Sequence, residues 1–142
     1  MKSQPVRDYP SEWVRADVSE PTDADRIRHM QVALRRLNQV VAPASLADLL
    51  ASEDKQAAAC RSFSVLGTAA RAVSAKMKRA NPQIAWRRWS FYGNLLLRRY
   101  DRVNYPLMWQ KYQSEVPALR AALAKLSQAL GVPQSKSLDY SV

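Results

Sequence analysis

The sequence predicts an all-α fold: an antiparallel bundle of four long helices plus one short helix. Three observations predict it. Apolar residues recur at three- and four-residue steps along most of the chain, which gathers them on single helical faces. No stretch shows the period-two alternation of a strand, and neither an internal repeat nor a glycine-rich phosphate loop is present. The composition of the 142 residues, 47% apolar and 24% charged with only three Gly and eight Pro, fits a compact helical protein and excludes collagen-like, low-complexity or wholly disordered chains. That length supports one hydrophobic core and no second independent domain.

Residues 1–21 carry Pro5, Pro10 and Pro21, mixed charges and no period, and read as an extended N-terminal arm with Trp13 and Val14 as candidate anchors. The bundle occupies residues 22–131. Thr22 and Asp25 have the spacing of a capping box, and Ile27, Met30, Leu34, Leu37 and Val41 define one face of the helix that follows until Pro43 stops it. Ser45 can cap a short helix bearing Leu46, Leu49 and Leu50. A start near Ser52 to Asp54 opens the expected longest element, whose seam of Ala59, Phe63, Leu66, Ala70, Val73 and Met77 runs until Asn81 and Pro82. A fourth helix runs from about Ile84 into Leu95–Leu97, with rings and arginine pairs around nearly its whole circumference. The last long helix starts near Tyr105 and Pro106, with Pro117 expected to kink it or mark a fresh start. Gly131 is placed as a left-handed C-terminal cap, and residues 132–142 form a polar tail.

Twenty-two Lys and Arg against twelve Asp and Glu give a net charge of +10, and the excess is concentrated. Between Arg71 and Lys111 ten cations face one acid, Asp101, a net of +9, whereas the other residues hold twelve cations and eleven acids. A basic block of this kind suits a polyanion, with a solvated surface as the bland alternative. Most enzyme templates fail: there is one histidine, His29, among charged residues on the first helix, and no nucleophile elbow, Cys/His cluster or tight carboxylate group. No metal or cofactor is implied. His29 is expected to have no catalytic role, and Cys60, the single cysteine, reads as a small buried hydrophobe in a chain suited to a reducing compartment. No apolar run approaches the ~20 residues of a membrane span, so no membrane partner and a cytoplasmic location are expected.

The segment left for chemistry runs from Trp86 to Asp101 and interleaves Arg87, Arg88, Arg98 and Arg99 with flat rings. Arginines pair with phosphates, while aromatic and guanidinium planes stack on unpaired bases, so the mixture suits RNA. Arg87, Arg88, Arg98, Arg99 and Arg102 are the expected nucleic-acid-binding residues. Trp86, Trp89, Phe91 and Trp109 are expected to be core or interface residues before they are base platforms.

The order of features over about residues 23–127 resembles the HepT-like HEPN proteins. The pieces that carry the resemblance are Asp25-Arg26-Ile27-Arg28-His29-Met30, Ser45-Leu46, Phe63 to Ala70, Pro82 to Trp86, Gly93 to Tyr100, Trp109 and Val116 to Leu119. That family's motif is an arginine, four residues, a histidine, one residue and a tyrosine; here it falls on Gly93, Arg98 and Tyr100, and only the tyrosine matches. The resemblance implies metal-independent RNA cleavage at a dimer interface in intact members, with a minimal nucleotidyltransferase as antitoxin that attaches AMP to the motif tyrosine. Arg98 can hold phosphate, but an arginine keeps its proton and cannot replace histidine as a general base. Arg98 and Tyr100 are therefore the candidate catalytic pair of a degenerate site, and Tyr100 the candidate AMP acceptor. Thr68 stands where many relatives have an acid.

Three functions follow from this reading: a HepT-like toxin-type protein directed at RNA, a non-catalytic RNA- or substrate-binding subunit or decoy for a nucleotidyltransferase, or a helical interaction protein whose basic face meets an acidic partner. The fourth helix has apolar residues on more sides than a small bundle covers, so a two-fold homodimer that brings the Gly93 to Tyr100 segments together is expected.

Overall fold

The computed structural model describes residues 11–131. Six α-helices and two single 3₁₀ turns make up the chain there: α1 Asp23–Val41, α2 Leu46–Ala51, α3 Glu53–Ala72, α4 Ala75–Ala80, α5 Trp86–Arg98 and α6 Tyr105–Ala129, with 3₁₀ turns at Ser11–Trp13 and Tyr100–Arg102. The all-α bundle is as the periodicity predicts, with one short helix more than expected.

Local chemistry sets the helix starts. Thr22 Oγ1 accepts the Asp25 backbone N–H at 3.1 Å while Asp25 accepts the Thr22 N–H at 2.9 Å, so the capping box that opens α1 is complete. Ser45 and Asp48 repeat that exchange at α2, and Ser52 and Asn104 each cap one helix, α3 and α6.

α3 is central, lying against α1 on one side and α5 on the other, while α6 packs on α1 and α2 closes the gap between α3 and α6. The core comes from the predicted faces: Ile27, Met30, Leu34 and Leu37 of α1, Phe63, Leu66 and Ala70 of α3, and Val116, Leu119 and Leu123 of α6, all buried. The Tyr112 hydroxyl donates to Asn38 Oδ1 and ties α6 to α1.

Three sequence expectations change. The helix expected to run from Ser52 to Asn81 is two helices, because Val73 turns into the core in an extended conformation and Ser74 starts α4 as a cap. Asp23 fixes this break: its carboxylate accepts the Ser74 N–H at 2.9 Å and the Ser74 hydroxyl at 2.6 Å, which locks the α3–α4 corner to the start of α1. The longest element is therefore α6, which continues through Pro117 without a fresh start. Pro117 and Gln113 are exposed, so water can bond the carbonyl that the proline leaves without a donor, while Val116 and Leu119 hold both halves on the core. Trp13 and Val14 do not dock the arm; both are exposed. Gly131 takes the left-handed conformation expected of it, with φ of 72°. Residues 1–10 of the arm and the 132–142 tail lie outside the described residues.

Asp23→Ala should lower stability by about 1–2 kcal/mol, since it removes two charge-assisted hydrogen bonds at a partly exposed corner. Urea unfolding of the two proteins checks this.

Candidate nucleic-acid interface

Helix α5 builds the site. Its buried side is Trp86, Trp89 and Gly93, with Trp86 anchored by its indole N–H to the Asn81 carbonyl at 3.0 Å and Trp89 packed edge-on against Tyr92 at 5.4 Å. Trp86 and Trp89 are thus core residues, as expected, and Trp109 packs on the core as well. Phe91 differs: it is 60% exposed and stands one turn before exposed Leu95 on the same side of α5, while exposed Leu97, two positions further, points to a different side. Trp89 is buried and offers nothing to a second copy, which would meet Phe91 and Leu95 instead.

The five predicted arginines do not form one cluster. Arg87 and Arg88 lie at the N-terminal end of α5 and Arg98 at its C-terminal end, separated by ten residues and so by about 15 Å along the axis. Arg88 leans to α6, with Nη1 3.8 Å from Glu115 Oε1. Glu115 also accepts the Tyr92 hydroxyl at 3.2 Å and the Lys111 ammonium at 3.1 Å, which joins the middle of α5 to α6. At the other end the chain leaves α5 through Arg99 and the Tyr100–Arg102 turn, and three cations project from a short arc. Asp101 sits between two of them, 4.0 Å from Arg99 Nε and 3.7 Å from Arg102 Nε. All four side chains are exposed, so these pairs are weak and leave the arc cationic.

Two grooves flank this arc. One, about 480 Å³, has Phe63, Tyr92, Leu95 and Leu107 along its walls and Arg99, Arg102 and Lys111 at its rim. The other, about 590 Å³, lies between α1, α3 and the end of α5, and Tyr100 contributes to its wall. The remaining polar side chains lining it are Arg26, His29, Cys60, Arg61, Ser64 and Thr68, so the groove holds two guanidiniums and no carboxylate. Tyr100, 75% exposed, therefore faces one groove while Arg99 and Arg102 line the other.

His29, Arg26 and Arg61 were not among the residues the sequence singled out for this site. Burial, then the neighbouring Arg26 and Arg28, holds the His29 imidazole below the usual histidine range, with Asp25 opposing, so it is neutral at pH 7. Cys60 is half-buried and not the fully buried hydrophobe expected; burial pushes its thiol up, and its sulfur lies 3.7 Å from the Tyr105 hydroxyl. It offers no thiolate.

Gly93 occupies a tight crossing. A Cβ placed there would lie 2.7 Å from the Phe63 carbonyl oxygen and 2.9 Å from Gly67 Cα, and one on Gly67 would meet Trp89 O and Gly93 Cα at the same distances. The two glycines let the backbones of α3 and α5 touch, which leaves position 93 no room for any side chain.

The family model described as "Ribonuclease HepT-like" matches residues 30–126. A protein named probable ribonuclease HepT, from Thermococcus cleftensis, is 22% identical over 102 residues, covering 72% of this chain and 93% of that protein. No solved structure matches.

Proposed function

Because the chain belongs to the HepT-like ribonuclease family, we propose that it is a toxin-type HEPN protein directed at RNA, whose cleavage motif is degenerate at Gly93 and Arg98. One observation carries the reading above the others: Tyr100, the matching motif residue, stands exposed between a carboxylate-free cationic groove and the arc of Arg98, Arg99 and Arg102. A phosphate brought to the Tyr100 groove meets guanidiniums from α1 and α3, while Arg99 and Arg102 line the neighbouring groove and a base can stack on exposed rings. Purified protein incubated with total RNA or tRNA in EDTA, read for bound RNA and for fragments, tests it; RNA left unbound at low salt overturns it.

Gly93 favours a second reading, a non-catalytic subunit that holds RNA or another substrate for a minimal nucleotidyltransferase. If position 93 is where the motif arginine belongs, the α3–α5 contact excludes that arginine sterically. Bound but uncut RNA is the outcome that favours it.

In either reading the partner is a minimal nucleotidyltransferase, and Tyr100 accepts AMP from it. The added phosphate would compete with RNA for the surrounding guanidiniums. Co-expression with the adjacent nucleotidyltransferase should yield an AMP adduct on the peptide containing Tyr100, absent from Tyr100→Phe; an adduct that persists in the variant places the acceptor elsewhere. A homodimer through the exposed Phe91 and Leu95 side of α5 completes the proposal, and a monomer by light scattering at tens of micromolar removes it. A cytoplasmic location agrees with these partners; among the described residues no helix is long and apolar enough to cross a membrane.

A further inference from the structure

The structure places the chain's one histidine in the same groove as Tyr100, a juxtaposition that their separation of seventy-one positions conceals. We propose that His29 is the general base of this protein, a proton acceptor supplied from α1 where position 98 supplies none, and that Arg26 and Arg61 hold the phosphodiester it acts beside. The proposal rests on the RNA-directed reading above and goes beyond it by restoring catalysis from residues outside the motif.

Shape, charge and proton chemistry agree. The volume of about 590 Å³ lies within the range of small-ligand sites and accommodates a nucleotide. Arg26 projects from α1 three residues before His29, on the same helical face, and Arg61 approaches from α3, so two guanidiniums from different helices can bracket one phosphate. Ser64 and Thr68 continue the α3 wall with hydroxyls that can bond ribose or base edges. The charged and titratable groups that act on the imidazole or share its groove include Asp25, Arg26 and Arg28 on its own helix, Cys60 and Arg61 on α3, and Tyr100 on the turn after α5, with exposed Glu20 4.0 Å from Arg26. Burial first, then Arg26 and Arg28 against the opposing Asp25, keeps the ring in the neutral form that a base requires.

The step balances without a cofactor. His29 takes the proton of a ribose 2′-hydroxyl, the 2′-oxygen forms a bond to the adjacent phosphorus, and the P–O5′ bond breaks to leave a 2′,3′-cyclic phosphate. The 5′-oxygen takes a proton from water and the histidinium returns one to water. Arg26 and Arg61 stabilise the charge that builds on the non-bridging oxygens.

The experiment uses the full chain with a short mixed-sequence RNA in EDTA, and the same oligomer with 2′-deoxyribose throughout. Expected are cleavage of the RNA alone, products ending in cyclic phosphate, and a rate that rises with pH and levels off below neutrality. His29→Asn should cut at least about 100-fold more slowly with RNA affinity unchanged, and added imidazole should restore part of the rate, which a purely structural role for His29 would not allow. Should that variant fail to fold, His29→Gln and the wild-type pH profile carry the test. Wild-type protein that binds RNA without cutting it, or His29→Asn and His29→Gln variants that cut normally, overturns the role of His29 and leaves the RNA-directed reading intact. No binding by any variant at low salt overturns both.

Discussion

Gly93→Ala should destabilise the protein by about 3 kcal/mol or more and lower its Tm by roughly 10 °C, although alanine is the better helix former by about 1 kcal/mol. The added methyl would sit 2.7 Å from the Phe63 carbonyl oxygen and 2.9 Å from Gly67 Cα. Both are backbone atoms, so no side chain can swing aside; α3 and α5 must separate, and the burial of Phe63, Leu66, Trp86 and Trp89 goes with them. Gly67→Ala should behave alike, since the crossing is reciprocal. Asn94→Ala, one residue along on the exposed side, should be neutral or slightly stabilising. Gly93→Arg, the substitution that rewrites the family motif, should be the most destabilising of the set and should cut RNA no faster than the parent. Urea unfolding with circular dichroism reads all four. A Gly93→Ala protein as stable as the parent would mean that the α3–α5 crossing is looser than described and that an arginine at position 93 is sterically possible.

This crossing also shows where the sequence could be read and where it could not. Helix starts were legible because they are local: Thr22 with Asp25, Ser45 with Asp48 and Ser52 each use a side chain three residues from its partner. Core faces were legible for the same reason, since Ile27, Met30, Leu34 and Leu37 recur with the helical period. The break between α3 and α4 was not, because the carboxylate that fixes Ser74 belongs to Asp23, fifty-one positions away. Nor was the helix that Pro117 fails to interrupt, because its exposure, not its type, decides the outcome. Family membership came from the order of many short segments, none diagnostic alone. The site was legible in half: the Arg98 to Arg102 arc is contiguous in sequence, whereas His29 and Arg61 reach Tyr100's groove only through packing of α1 and α3. Arg26, His29 and Arg61 have helical spacings among many charged residues, and no local signal separates them from a solvated face.

Replacing Arg98, Arg99 and Arg102 together with Ala should weaken RNA binding by about 100-fold near 0.1 M salt and flatten the dependence of log affinity on log salt by about 2, on the basis of ~0.7 released counterions for each single-strand phosphate contact. The fold should survive, since all three side chains are exposed and their ion pairs to Asp101 are weak. Position separates this arc from charge in general. Arg87→Ala with Arg88→Ala removes two cations about 15 Å away, one of them leaning on Glu115, and should cost less affinity for each charge removed. Asp101→Asn should act in the opposite direction: it frees Arg99 and Arg102 from their shared carboxylate and adds a unit of positive charge to the arc, so affinity should rise and the salt slope steepen. Titration of labelled single-stranded RNA at several salt concentrations measures all of these. Equal losses from the two ends of α5 would mean a diffuse basic surface with no defined track, and a triple variant that binds as tightly as the parent would move the polyanion from RNA to an acidic protein surface met elsewhere on the bundle.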